Sequence, residues 1–351
     1  MAEYVILECR KLCKKILGED FCNIDPLEAS GSSRRYFRVE TGEKTYIICY
    51  SDNVRENETF LKLSEYFGKC GLHVPTVLGV GDDRKIYILQ DLGDTDLLTL
   101  INYDNISEDR KHDLQASPEV TDNNPERVIR KSLSELVRFQ RLPYEGWKDL
   151  VEFEPLNRDL IRYDFNYCIE NFIKLSGIEY DEYELFRDFC CLEEILLSFP
   201  GELWGLMYRD FQSRNIMIHH HQPYFIDYQS CRKGPCIYDL VSFAWQAKAG
   251  FTSGERKRII DIYCEEMSNM GVACGQSVKE NIGFWAAFRI IQTLGAYGLR
   301  GLKERKRHFI ESIPLALDNL DELFQSYDLK SMFPTLAYII SKNQFNKKSQ
   351  I

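Results

Sequence analysis

The sequence predicts an α+β chain in two parts: a small, mostly antiparallel β-sheet carrying one helix, then a larger, mainly helical half with a β-hairpin set into it. Three observations lead there. β-Type runs dominate before residue 92, helical periodicity takes over after residue 93, and one pair of short apolar strands interrupts the helices. A chain of 351 residues with 44% hydrophobic and 13% aromatic content buries a core large enough for two lobes, 1–92 and 93–351.

Tyr36 to Val39, Thr45 to Tyr50, Val77 to Val80 and Lys85 to Gln90 carry the β pattern, with turn signals at Thr41-Gly42 and Gly81-Asp82-Asp83. Between the second and third runs, Asn57 to Cys70 has Phe60, Leu61, Leu63, Tyr66 and Phe67 at helical spacing and stops at Gly71. Gln115 to Asn124, rich in Ser, Pro, Asp and Asn, reads as a surface excursion. Pro125 to Arg141 and segments from Leu160, Glu182, Gly254 and Asn281 are helical by pattern. Asn215 to Ile218 and Tyr224 to Ile226 form the hairpin, joined by His219-His220-His221-Gln222-Pro223. Successive side chains of a strand point apart, so three adjacent histidines favour a solvated turn over a metal site.

The net charge of −10 and a pI near 5.3 give no overall attraction to nucleic-acid phosphates or anionic lipid. No nucleic-acid or membrane partner is expected. Met1 to Lys15 alternates apolar and charged residues, without the apolar run of a secretion signal, and nowhere do about twenty uncharged apolar residues run together. A cytoplasmic protein follows as the expectation. Its 12 cysteines include no CxxC pair and are expected as free thiols.

The most specific chemistry flanks the hairpin: Tyr208-Arg209-Asp210-Phe211-Gln212-Ser213-Arg214-Asn215 before it, Phe225-Ile226-Asp227-Tyr228-Gln229 after it. Phosphoryl transfer needs a carboxylate near the attacking hydroxyl and separate oxygen ligands for the magnesium that shields the nucleotide phosphates. Asp210 suits the first task. Asn215 and Asp227, at the two ends of a hairpin, suit the second.

This order resembles the catalytic loop and metal-binding Asp of the protein-kinase-like superfamily, and more closely its aminoglycoside-phosphotransferase branch. The resemblance implies a bilobal protein-kinase-like fold, with residues 1–92 as the nucleotide-binding lobe and 93–351 as the catalytic and substrate-binding lobe. It implies ATP and Mg2+ as cofactors and a small-molecule hydroxyl acceptor, with Asp210 as catalytic base and Asn215 and Asp227 on the metal. Tyr208 stands where a scaffold histidine is usual, and Tyr228 replaces the glycine that follows the metal Asp in protein kinases. Asp239, in Gly234-Pro235-Cys236-Ile237-Tyr238-Asp239-Leu240, is expected to brace the catalytic loop through backbone hydrogen bonds. Gln229 and Arg232 are candidate substrate contacts.

Gly31-Ser32-Ser33-Arg34-Arg35-Tyr36, at the start of the sheet, is similar to the opening of the anomeric kinases for N-acetylmuramate and N-acetylglucosamine. So are Ile88 to Asp94 and Arg209 to Asn215, and the likeness extends over roughly residues 25 to 325. It implies an amino-sugar acceptor, phosphate contacts from Ser32, Ser33, Arg34 and Arg35, and a hinge at Gln90, Asp91 and Leu92 that meets the nucleotide. One departure stands out. The strand Thr45 to Tyr50 lacks the lysine that many kinases aim at the phosphates, so either an arginine of the turn supplies the charge or activity is lost; Glu56 or Glu58 is the helix carboxylate that lysine would meet. The competing readings are an aminoglycoside- or choline-type kinase, using acidic residues such as Glu179, Asp181, Glu182 and Asp188, and a pseudokinase scaffold with an aromatic surface at Phe284, Trp285, Phe288, Tyr297 and Arg300.

Overall fold

Alternation of side chains across a pleated strand organises the amino-terminal sheet. In the computed structural model, which describes residues 2–18, 23–27, 34–42, 44–103 and 124–343, five antiparallel strands lie in the order β1-β2-β3-β5-β4. They are β1 (Asn23–Pro26), β2 (Arg35–Thr41), β3 (Lys44–Tyr50), β4 (Val77–Val80) and β5 (Ile86–Gln90). Val39, Ile48, Tyr50, Ile86 and Ile88 point to one face, where they bury Val5, Cys9, Leu12 and Cys13 of helix α1 (Ala2–Leu17). This explains the Cys9 and Cys13 spacing: both thiols lie on the helix's sheet-facing stripe, and burial pushes Cys9 up to about 12. Neither α1 nor the short β1 was anticipated from the sequence, since the first is charged on its outer side and the second spans four residues. Gly79 is required by α1, because a Cβ there would come within 2.6 Å of Ile16.

Helix α2 (Val54–Lys69) starts three residues before the expected Asn57. Asn53 caps it, accepting the Glu56 amide at 3.2 Å while donating to the Glu56 carboxylate at 3.1 Å, and Gly71 at φ +70° ends the segment. After α3 (Leu97–Ile101), α4 (Pro125–Gln140) matches the expected helix within one residue, with Asn124 as its cap. The rest of the excursion 115–124 lies outside the described residues, as do Ser32 and Ser33.

The chain divides into two compact units, residues 1–153 with 214–231 and residues 154–213 with 232–351. The expected boundary at 92/93 falls inside the first unit, which also takes in the hairpin. Its strands are β7 (Ile216–His219) and β8 (Gln222–Phe225); Ile218 donates to the Thr95 carbonyl and Phe225 to that of His73, both at 2.8 Å. His220 and His221 take φ +48° and +60° in the tight turn, and Lys131 of α4 donates to the His221 carbonyl.

The second unit is mainly helical. Helix α6 (Arg158–Cys168), preceded by a single turn α5 (Tyr144–Trp147) in the first unit, is followed by α7 (Glu182–Leu197), α8 (Ile237–Ala244), α9 (Ser253–Asn269), α10 (Gly275–Tyr297), α11 (Ser312–Ser326) and α12 (Pro334–Lys342). Helix α10 packs against α6, α8 and α11, and its apolar residues wrap most of its circumference, as expected of a central helix. Trp285 and Phe288 are therefore core residues and not a docking surface. A second strand pair breaks the helices, β6 (Trp204–Met207) against β9 (Arg232–Pro235), which the sequence reading did not contain. Asp181 caps α7, and Asp188 accepts the Leu336 amide at the start of α12, so these carboxylates serve helix ends. Among the described residues no helix is long and apolar enough to cross a membrane.

Candidate active site

The first unit carries the side chains that suit a nucleotide. Tyr36, Cys49 and Tyr87 form one row across β2, β3 and β5, on the sheet face opposite α1. Cys49 belongs to the strand that lacks a lysine; burial pushes its thiol up to about 11, so it carries no charge. Arg34 lies beside this row, where it acts on the Tyr36 hydroxyl. Arg34 is 2% exposed, its Nη2 lies 3.1 Å from Glu56 Oε1 on α2, and its guanidinium sits over the Phe60 ring at 5.6 Å. Of the two expected carboxylates, Glu56 is the partner, while Glu58 pairs with Arg84. The pleat separates the two arginines: Arg35 lies over Tyr50 at 4.7 Å, on the face that α1 covers.

Asp227 belongs to the same neighbourhood. Burial first, and then Cys49 and the Asp227 carboxylate, push the Tyr36 hydroxyl well up. Asp227 takes φ +68°, a left-handed conformation that costs a non-glycine residue about 1 kcal/mol, and Gln229 Nε2 donates to its Oδ1 at 2.7 Å. Gln229 is thus buried against the candidate metal carboxylate, which is where the structure puts this expected substrate contact. The Ile226 amide donates to the Asn215 carbonyl at 3.1 Å, so Asn215 and Asp227 adjoin at the open end of the hairpin. One amide oxygen and one carboxylate are hard donors of the kind magnesium accepts alongside phosphate and water, so the residues fit that ion. Tyr228 anchors the arrangement from below: its fully buried ring stacks on Phe60 at 5.0 Å and its hydroxyl meets Ser64 Oγ at 2.6 Å.

At the hinge, Asp91 accepts from Arg38 Nε at 2.7 Å, Arg38 Nη2 at 3.1 Å and the Gly93 amide at 2.9 Å. Burial raises its carboxyl, but the Arg38 guanidinium and the Gly93 amide outweigh burial and hold it below the ordinary range. Gln90 faces Thr76 and His219. A groove of about 370 Å³ runs along Asp91 to Thr95 and is walled by Arg38, Thr45, Ile218 and His219, with Leu92 in its lining.

The second unit carries Asp210. Its loop is pinned by α8: the buried Asp239 carboxylate accepts the Tyr208 and Arg209 amides, each at 2.8 Å, as the sequence reading anticipated. Gln246, just past α8, accepts the Ser213 amide at 2.9 Å. Arg209 takes φ +78°, and the buried Tyr208 ring packs edge-on against Phe211. The Asp210 side chain keeps 40% exposure, with Oδ1 held at 3.0 Å by Nη2 of Arg289 on α10. Asp164 of α6 lies in the same cluster, 3.9 Å from Arg209; burial pushes its carboxyl up against the pull of Arg209, Arg289 and Arg232, and Asp210 adds to the push. Arg232, on β9, is 3% exposed and belongs to this cluster, so the second expected substrate contact lies among charges and not in an open loop. Arg289 and Asp164 were missed. The signal for Arg289 was a lone charge in the apolar run Trp285 to Ile291; Asp164 had none.

The chain is 24% identical over 328 residues to the N-acetylmuramate/N-acetylglucosamine kinase of Neisseria meningitidis, covering 90% of each. It is 20% identical over 293 residues to the enzyme of the same name from Pseudomonas aeruginosa, covering 82% of this chain and 80% of that one. Among solved structures, a choline/ethanolamine kinase family protein from Mesorhizobium loti superposes with a TM-score of 0.60 at 10% identity, over 94% of this chain and 98% of that one, a likeness of protein-kinase-like fold. The model of the phosphotransferase enzyme family matches residues 23–272, well over half the length, and the chain belongs to that family.

Proposed function

We propose that this phosphotransferase moves the γ-phosphoryl group of ATP, with Mg2+, onto a hydroxyl of an amino sugar such as N-acetylmuramate or N-acetylglucosamine, in the cytoplasm. The observation that carries the reading is the Ile226 to Asn215 hydrogen bond, which holds the two metal candidates side by side, Asn215 following five residues after Asp210 in a loop whose Tyr208 and Arg209 amides Asp239 accepts. In this reading residues 1–92 form the nucleotide-binding lobe and 93–351 the catalytic and acceptor lobe. Asn215 and Asp227 hold magnesium, which when bound shields charge on the nucleotide phosphates. Arg34, fixed by Glu56, adds positive charge in place of the missing lysine. The backbone of Gln90 to Leu92 and the adjoining groove receive the base. Asp210 accepts the hydroxyl proton; because phosphoryl transfer passes through a loose transition state, placing that carboxylate counts for more than its basicity. An amino-sugar acceptor is supported by the named activity of the two relatives. The use of Asp181 and Asp188 as helix caps removes two of the acidic groups that a cationic acceptor would have needed.

The test is ADP release with a panel containing N-acetylmuramate, N-acetylglucosamine, choline and an aminoglycoside. Asp210→Ala and Asp227→Ala should each lower turnover at least about a hundredfold while circular dichroism shows the fold retained. Turnover equal to the parent in both variants rejects the assignment.

A further inference from the structure

Asp210 is not an isolated carboxylate. Arg289 reaches it from the central helix α10 with a side chain that is 4% exposed. Its Nη2 donates to Asp210 Oδ1 at 3.0 Å, its Nη1 donates to the Tyr238 hydroxyl at 3.1 Å and to Gln292, and its plane lies over the Tyr238 ring at 5.4 Å. Tyr238 itself is buried on α8, immediately before the Asp239 that pins the loop. The guanidinium is therefore held from two helices, and it has little freedom to swing away from the carboxylate it grips. A buried arginine cannot shed its proton, so its charge is permanent.

We infer that Arg289 is a positioning residue: it clamps the Asp210 carboxylate in one orientation and in its charged form, leaving the exposed side of that carboxylate to meet the acceptor hydroxyl. The inference rests on Asp210 being the base. The charges facing the pair are Arg209 from the loop, Arg232 from β9 and Asp164 from α6, with Tyr238 from α8. The buried Asp239 carboxylate, on the Tyr208 and Arg209 amides, adds a third acidic group beside these. The clamp weakens Asp210 as a base, which a loose transition state tolerates, and fixes the geometry, which it does not forgive.

Arg289→Met, Arg289→Lys and Tyr238→Phe in the full chain test this. The first readout needs no turnover: carbon-13 NMR titration of labelled aspartates, with the Asp210 signal identified by its loss in Asp210→Asn. In Arg289→Met that signal should titrate about one pH unit higher than in the parent, since a nearby cation favours the carboxylate. Arg289→Lys should restore part of the difference. With a competent acceptor, kcat for Arg289→Met should fall tenfold or more, ADP affinity should stay within twofold, and the acid limb of the pH profile should move up with the NMR titration. Should Arg289→Met not fold, Tyr238→Phe gives the milder version of the same displacement. A variant that melts earlier but leaves the Asp210 titration and the acid limb in place makes Arg289 a structural residue only and overturns the inference. Absence of turnover in the parent with every acceptor would overturn the kinase reading, and the titration alone would then decide for or against the clamp.

Discussion

Arg34 and Glu56 divide one ion pair unequally: the arginine side chain is 1% exposed and the glutamate 26%. Breaking a pair from its exposed end leaves a buried charge less well compensated, so Glu56→Ala should lower unfolding stability by about 3 kcal/mol in urea titration. Arg34→Met should behave differently, since methionine refills the slot over Phe60 without a charge to solvate. It should keep most of the stability and lose nucleotide affinity about tenfold or more by calorimetry. Equal nucleotide affinity in Arg34→Met and parent would remove Arg34 from the phosphate site. The sequence left two outcomes open, a turn arginine in place of the strand lysine or lost activity. Which arginine lies beside Glu56 was set by the alternation of the chain, which turns Arg34 away from the face that Arg35, Phe37 and Val39 share.

At the scale of elements, two contacts tie the machinery to its supports. Ser64 has one hydroxyl hydrogen, and its Oγ also lies 2.6 Å from the Phe60 carbonyl, which can only accept; Tyr228 is therefore the donor to Ser64. Burial, which pushes the Tyr228 hydroxyl up, keeps that proton in place. Tyr228→Phe should cost about 1 kcal/mol in thermal unfolding and loosen α2 from the strand exit, read as faster amide exchange around Ile226 and Asp227. The hinge provides the second contact. Asp91 is held below its ordinary pKa of 3.8, so its stabilisation is complete above that value and drains away as pH falls through the lowered one. Asp91→Asn should cost about 2 kcal/mol at neutral pH, and its unfolding midpoint should converge on the parent's as the pH falls through the lowered pKa of Asp91. A gap that stays constant with pH would show that Arg38 does not depend on the charge of Asp91. Helix α2 was legible because its apolar spacing and Gly71 are local signals, whereas the Asn53 cap that starts it three residues earlier went unread. The β6–β9 pair was not, because its strands are four residues each and their partners lie more than twenty residues apart.

Among the described residues, eleven cysteines are thiols outside any disulfide, and most are buried. Reductant should leave the unfolding midpoint unchanged, and among these thiols Cys191, the exposed one, should be modified first in the native protein, as peptide mapping after brief alkylation would reveal. Rapid native-state modification of Cys9 or Cys13 would contradict the packing of α1 on the sheet. The order of Asp210, Asn215 and Asp227 around a hairpin, the sheet before it and the helices after it were determined by the sequence alone, because each is written in spacings of a few residues. Only the tertiary structure decided that Arg34 meets Glu56, that α1 covers one face of the sheet, and that Arg289 grips Asp210 across 79 positions of chain. Such partners are chosen by burial: a charge withdrawn from water must find its counter-charge wherever the packed fold brings one within reach, and no local spacing encodes that distance.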